Sequence, residues 1–246
     1  MDEKRLAVFD VDGTLFRRGL VPALTRRMVE EGIFTEDVRD QLGEDYYAWV
    51  ERRGSYENYD RKVVELFLKQ LEGVGLDTMR RCAEKEVNER GRRLHIYTRD
   101  LARRLKDSGY FLLAISGSPD EILDTFAPTL GFDRSLGTLL GRDEHNRYTG
   151  KVLRETFANK QRVLEGFLAE TRIGLEGSVG VGDTLSDVPF LEMVEHPIAF
   201  NPNRGLCDVA VQRQWPVVVE RKDVIYTLST PPKDPILEPP QGMHGV

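Results

Sequence analysis

The sequence is poor in cysteine. Its two thiols, Cys82 and Cys207, lie far apart and form no C-x-x-C pair. That spacing offers neither a zinc site nor a disulfide framework and predicts a protein of a reducing, cytoplasmic compartment. No run approaches the roughly 18 apolar residues that a membrane-spanning helix needs. The N-terminal MDEKRLAVFDVDG meets acidic residues too early to hold the apolar core of a secretory leader. A positive charge balance is also lacking. The formal net charge of −6 is a poor basis for binding nucleic acid or an anionic membrane, but leaves room for a locally positive site that takes a small anion. No internal repeat is present, and nothing in the sequence sets an oligomeric state. What remains is 246 residues, 40% hydrophobic and 31% charged. That is enough for one sizeable α/β domain, or a core with a small accessory domain.

Leu6–Phe9 is a short apolar run ending at Asp10, with Gly13 just beyond, and reads as a buried strand that stops at a loop. From Leu20 to Arg93 the spacing turns helical, as in Val63, Leu66, Phe67 and Leu71, with breaks expected near Gly32, Gly43, Gly54 and Gly73–Gly75. A strand-and-helix alternation then follows. Thr98–Ser108 reads as a helix with Thr98 as N-cap and Gly109 as stop. Tyr110–Ile115 reads as a strong buried strand, and Ser118-Pro119-Asp120 opens a helix to about Phe126. Residues 132–150 are Gly-broken and partly β-like, and Glu155–Glu170 is an amphipathic helix. Ser178–Val181 is a strand, Asp187–Val194 a helix, and Ile198–Phe200 and Val217–Val219 are short strands. Strands separated by helices predict a parallel sheet with right-handed crossovers.

Four short segments carry chemistry, and each is ambiguous alone. Asp10-Val11-Asp12-Gly13-Thr14 places two acids at a strand end, where open α/β sheets bind ligands; D-x-D-G also occurs in polar turns and calcium loops. Gly180-Val181-Gly182-Asp183-Thr184-Leu185-Ser186-Asp187 ends a second apolar strand. A capped helix explains one of its acids, whereas a hard cation such as Mg²⁺ explains the set. Ile115-Ser116-Gly117-Ser118-Pro119 offers hydroxyls and loop amides to an anion, or merely a helix cap. Lys160, in Phe157-Ala158-Asn159-Lys160-Gln161, reads by itself as a solvated helix charge.

Taken in order, the four segments resemble the motifs of the haloacid dehalogenase-like hydrolase superfamily: D-x-D-x-T, a Ser or Thr after a strand, a Lys, and G-D-x-x-x-D. The match spans residues 10 to 187. The helical insertion, Arg147-Tyr148-Thr149-Gly150 and the strand leading to Asn201-Pro202 are similar to the phosphoserine-phosphatase-like branch. The resemblance implies a Rossmann-like α/β core at 1–15 and 95–230, a small inserted helical cap at 16–94, and a proline-rich tail at 231–246. It further implies a cytoplasmic, Mg²⁺-dependent phosphatase acting on a small phosphorylated metabolite through an aspartyl-phosphate intermediate. By the same resemblance Asp10 is the nucleophile and Asp12 the general acid and base. The metal is held by Asp10, the Asp12 backbone carbonyl and Asp183, with Asp187 supporting the metal or orienting Lys160. Ser116, Gly117 and Lys160 meet the phosphoryl oxygens, and Thr14 orders the loop by hydrogen bonds.

Dehalogenases of this family need no acid at the position of Asp12, so its presence favours phosphoryl chemistry. The D-K-T-G-T signature of cation pumps is missing. Phosphoserine phosphatases carry a glutamate nine residues after the nucleophile, where this chain has Gly19. They also carry R-x-R-V in the cap, where it has Arg61-Lys62-Val63-Val64. Losing both the amine partner and half of the carboxylate clamp predicts poor action on phosphoserine. Tyr46, Tyr47, Trp49, Tyr56 and Tyr59 either line the pocket or pack the helices together. Phosphotransfer to an acceptor alcohol, phosphoserine hydrolysis and non-catalytic phosphate binding are the alternative functions.

Overall fold

A computed structural model of the chain describes residues 4–228; the proline-rich segment 231–246 lies outside the described residues. The first apolar run forms β1 (Leu6–Asp10), buried at every position. Four helices follow: α1 (Leu20–Glu30), α2 (Asp37–Val50), α3 (Tyr56–Leu71) and α4 (Leu76–Arg90). Next come α5 (Ile96–Asp107), β2 (Phe111–Pro119), α6 (Asp120–Phe126) and the antiparallel pair β3 (Arg134–Arg142) and β4 (Tyr148–Arg154). The remainder is α7 (Lys160–Thr171), β5 (Val179–Gly182), α8 (Val188–Leu191), β6 (His196–Phe200), α9 (Arg204–Arg213) and the hairpin β7 (Val217–Arg221) and β8 (Val224–Thr227).

All these strands join one sheet in the order β4-β3-β2-β1-β5-β6-β7-β8. From β3 to β7 the neighbours pair in parallel, and each edge is closed by an antiparallel partner. The chain builds outward from β1 to one edge, then returns to place β5 on the other side of β1. Such a reversal opens a crevice beyond the carboxyl ends of the two central strands.

Alternation along the strands supplies both apolar layers. Ala7, Phe9, Leu112 and Ala114 join Met79, Leu101 and Phe126 on one face, and the same cluster continues through Leu24, Met28, Phe67 and Leu71 of the inserted helices. Leu6, Val8, Leu113 and Ile115 meet Leu164, Phe167, Phe190 and Leu206 on the other. Both Cys82 and Cys207 are free thiols. No described helix is long and apolar enough to cross a membrane.

Several local expectations are corrected. Gly43 does not break the chain: α2 runs through it. A helical glycine costs about 1 kcal/mol relative to alanine, less than the packing of α2 on α3 returns through the rings of Tyr46, Trp49, Tyr56 and Tyr59. Thr98 is not an N-cap but lies inside α5, which starts after His95; its hydroxyl donates to the Thr14 carbonyl at 2.7 Å. The second strand continues past Ile115 to Pro119, with its register against β3 broken over that stretch. The helix expected from Glu155 starts at Lys160, after a 3-10 turn at Phe157–Asn159. Helix α9 and strand β8 are additional elements, and Asn203 caps α9 by accepting from the Leu206 amide at 2.9 Å.

The chain leaves the sheet layer through Leu15–Arg17 and re-enters through Arg93–His95. The two passages lie side by side, with Arg17 N–H donating to Arg93 carbonyl at 2.9 Å and His95 N–H to Leu15 carbonyl at 3.0 Å. Glu220 of β7, its side chain 2% exposed, pins both. It accepts from the Arg17 guanidinium at 2.6 Å and from the Tyr97 amide at 2.9 Å, with His95 Nδ1 at 3.4 Å. Glu220→Ala strands the buried Tyr97 amide and should cost about 1–3 kcal/mol, a fall in Tm of several degrees at this chain length. A melting curve superimposable on that of the parent would show that the clamp contributes nothing.

Candidate active site

Three neighbouring strands end at one edge. Asp10 closes β1, paired with Ile115 of β2 on one side, and Asp183 follows β5 on the other. Ser116 and Ser118 lie where β2 loses register with β3, and such irregularities re-aim side chains at sheet ends. The loop after β1 turns at Gly13, whose φ is +90°. A Cβ there would lie 2.1 Å from Asp183 Oδ2. Only glycine lets this backbone take that turn and approach the second carboxylate so closely.

Lys160 enters from the first turn of α7 and is buried. Its ammonium donates to Asp10 Oδ1 at 2.6 Å and to Asp187 Oδ1 at 2.5 Å. The other Asp187 oxygen accepts from the amides of Asp183 and Thr184, each at 2.9 Å. Thr184 and Asp187 thus form a capping box. Asp187 is therefore a helix-capping residue that also grips Lys160.

Carboxylate oxygens of Asp10, Asp183 and Asp187 lie within 4.8 Å of one another. Three carboxylates face one ammonium, leaving two negative charges uncompensated. Burial, reinforced by the charges of Asp187 and Asp12 and opposed by Lys160, raises the Asp10 carboxyl to about 7. Burial, with Asp10 and Asp187 nearby, raises Asp183 well above its usual range. The same two acids, Asp10 and Asp187, more than offset the burial of Lys160 and keep it firmly charged. Among the described residues, Asp10 Oδ2 and Asp183 Oδ1 are buried with no hydrogen-bond partner. Orphaned carboxylate oxygens and a deficit of two positive charges are what a hard divalent cation satisfies.

Asp12 belongs to a different arrangement. Its Oδ1 accepts from the Leu20 amide at 2.5 Å; its Oδ2 accepts from the hydroxyls of Ser116 at 2.5 Å and Ser118 at 2.9 Å. Ser116 Oγ also accepts from the Ser118 amide at 2.9 Å. Gly117, between them, lies against Phe157, which a Cβ would meet at 3.0 Å. Among the described residues the Thr14 hydroxyl is buried without a partner, while the Thr14 carbonyl accepts from Thr98.

The geometry and the comparisons agree on a family. The model of haloacid dehalogenase-like hydrolases matches residues 7–192, and the chain belongs to that family. It is 28% identical over 210 residues to a phosphoserine phosphatase of Archaeoglobus fulgidus, covering 85% of this chain and 56% of the relative. It is 25% identical over 229 residues to a histidinol-phosphatase of Neisseria meningitidis serogroup C, covering 87% and 98%. The chain thus spans little more than half the length of the first relative. Among solved structures, a protein with unknown function from Bordetella pertussis Tohama I aligns at a TM-score of 0.71 and 25% identity, over 87% of this chain and 97% of that one. A phospho-aspartyl intermediate analogue of phosphoserine phosphatase aligns at 0.57 and 21%, over 90% and 96%, a likeness of fold.

A cleft of about 1990 Å³ opens above the carboxylates, bounded by the sheet edge and by α1, α2 and α3. Tyr46, Tyr47, Trp49, Tyr56 and Tyr59 line it; Tyr46, Trp49, Tyr56 and Tyr59 also pack α2 on α3, mostly edge to face, whereas among the described residues the Tyr47 ring pairs only with that of Tyr46 of its own helix. Ser118's contact with Asp12 and the place of Asp60 on the cleft wall were not anticipated; Ser118 stood in the quoted motif, whereas nothing local marks Asp60. Burial, then the charge of Asp12, pushes the Asp60 carboxyl up to about 6. An acid that holds its proton more tightly when folded favours folding below its ordinary value near 4. That contribution is lost as pH rises through 6. Asp60→Asn should therefore melt a few degrees above the parent at pH 7.5, with the gap closing by pH 4. Equal Tm values at pH 7.5 would mean that the carboxylate is fully solvated.

Proposed function

We propose that the chain is a Mg²⁺-dependent phosphomonoesterase that hydrolyses a small phosphorylated metabolite through an aspartyl-phosphate on Asp10. The observation that carries this reading is the buried Lys160 ammonium shared by Asp10 and Asp187, beside the two orphaned oxygens of Asp10 and Asp183. The names of the two relatives, phosphoserine phosphatase and histidinol-phosphatase, point to the same class of ester.

In this reading Asp10, the Asp12 backbone carbonyl and Asp183 hold Mg²⁺, with Asp187 supporting the site. Bound there, the ion supplies charge neutralisation for a dianionic phosphoryl group facing carboxylates. The Asp10 carboxylate attacks phosphorus and the ester oxygen leaves. Asp12, on the far side of the loop, protonates that oxygen and afterwards takes a proton from the water that releases phosphate. Ser116, the Gly117 backbone and Lys160 meet the phosphoryl oxygens. The Ser116 and Ser118 hydroxyls fix the Asp12 carboxylate until substrate arrives. Thr14 keeps the loop in place through the carbonyl held by Thr98.

Phosphoserine is a poor substrate in this reading. Val63, at the place of the second clamp arginine, is fully buried, and Gly19 has no side chain to meet an ammonium.

With p-nitrophenyl phosphate and Mg²⁺ the protein should show turnover that Asp10→Asn reduces by about 10³-fold or more; Asp12→Asn should cost about 10²–10⁴-fold. Full activity in Asp10→Asn would remove the covalent mechanism. Without substrate, saturating Mg²⁺ should raise Tm by several degrees, since 100-fold excess over Kd is worth about 2.7 kcal/mol. Asp183→Asn should abolish that shift. A shift that persists in Asp183→Asn would place the ion elsewhere. Phosphoserine turned over well above other phosphomonoesters would overturn the substrate exclusion.

A further inference from the structure

Two serines share one oxygen of Asp12, and their duties differ once substrate is bound. Asp12 Oδ2 accepts from the Ser116 hydroxyl at 2.5 Å and from the Ser118 hydroxyl at 2.9 Å, while Oδ1 accepts from the Leu20 amide at 2.5 Å. A serine hydroxyl has a single proton to donate. In the proposed function Ser116 gives that proton to a phosphoryl oxygen, so its bonds to phosphate and to Asp12 exclude each other. The arrival of substrate therefore splits the shared hold. Among the described residues Ser118 is then the one side-chain hydroxyl left on Asp12.

The surroundings of Ser118 fix it for that duty. It is 2% exposed. Its amide donates to Ser116 Oγ at 2.9 Å, and the Ser116 proton can swing to phosphate without moving that oxygen. On the other side its carbonyl lies against Gly137 of β3, where a Cβ would come within 2.5 Å of it. Pro119 follows, with φ held by its ring at −56°, and the Asp120 carboxylate accepts from the Gly137 amide at 2.6 Å. By contrast, the last torsion of an aspartate is broad. A single bond from Leu20 at Oδ1 leaves the plane of the Asp12 carboxyl free to turn, whereas a second bond at Oδ2, from another strand end, sets it.

From this geometry we propose that Ser118 is the positioning residue of the general acid, holding Asp12 toward the ester oxygen while Ser116 serves the phosphoryl group. The proton passes from the Asp12 carboxyl to the ester oxygen as the bond from phosphorus to that oxygen breaks and the bond to Asp10 forms. Ser118 loses no proton of its own. The inference rests on the phosphomonoesterase reading and adds to it the residue that aims its acid.

Leaving groups of different need test it. Phenyl phosphate requires a proton on the departing oxygen, whereas 2,4-dinitrophenyl phosphate releases a stable anion without one. The measured quantity is kcat/KM, which covers the steps up to departure of the alcohol. Ser118→Ala should lose at least about fivefold more on phenyl phosphate than on 2,4-dinitrophenyl phosphate, since small misplacements of a reacting group cost up to about 10²-fold. In an Asp12→Asn background the same change should cost less than about twofold on phenyl phosphate, because no acid is left to aim. Ser118→Cys keeps the shape and weakens the donor; it should show the same split, and it carries the comparison if the alanine variant does not fold. A smaller split, or a larger loss in the Asp12→Asn background, overturns the proposal and leaves the phosphatase reading intact. That reading is tested separately: equal losses on the two esters in Asp12→Asn alone would remove Asp12 as the acid, and with it the role of Ser118. No Mg²⁺-dependent turnover of either ester by the parent protein would remove the phosphatase itself.

Discussion

The ammonium of Lys160, wedged between Asp10 and Asp187, is the interaction on which the site depends. Three strand-end carboxylates would repel one another in a buried space. A single buried lysine bridges two of them, and among the described residues Asp10 and Asp183 each keep a buried oxygen unclaimed. Asp187 then ties that arrangement to the backbone, because the oxygen not used by Lys160 caps the turn after β5. The electrostatics of the site and the geometry of a helix start are one construction.

Around this anchor the fold separates two tasks. The sheet edge carries the groups to which the proposed function assigns phosphoryl chemistry, and Asp10, Ser116, Lys160 and Asp183 sit at the ends of elements seated in apolar layers on both faces. The inserted helices carry the cleft wall, where Tyr46, Trp49, Tyr56, Tyr59 and Asp60 have no role in holding the carboxylates. Asp60, its carboxyl pushed up by burial, and the orphaned oxygens of Asp10 and Asp183 are poorly satisfied polar groups of the cleft, and such groups lower stability where they stand.

The strand-end acids were legible in the sequence because each follows a short apolar run, and an acid in that place has no purpose in a core. The order of the four motifs identified the family, and the crevice between β1 and β5 follows from it. Lys160 was ambiguous locally, since Phe157-Ala158-Asn159-Lys160-Gln161 looks like a solvated helix start; its partner Asp10 lies 150 residues away. Gly43 misled because helix propensity yields to ring packing between α2 and α3. Thr98 looked like a cap because a hydroxyl residue ahead of a helical pattern is the usual N-cap signal; its hydroxyl instead donates to the Thr14 carbonyl. Asp60 was invisible because its meaning comes from how α3 is laid over the sheet edge, which no local pattern encodes. Asn203 was a readable cap signal before α9, whereas β8 is too short to stand out.

The strand order has a temporal consequence for the chain as it is made. Asp10 is synthesised well before α7, which brings Lys160, and β5, which brings Asp183 alongside it. A nascent chain therefore exposes Asp10 to water, away from the charges that alter its ionisation in the folded site. Pairing across such separations is slow because loop closure precedes any gain from contact. In the proposed mechanism Asp10 is thus idle until the central strands have met, and the step that completes the sheet is also the one that assembles the site.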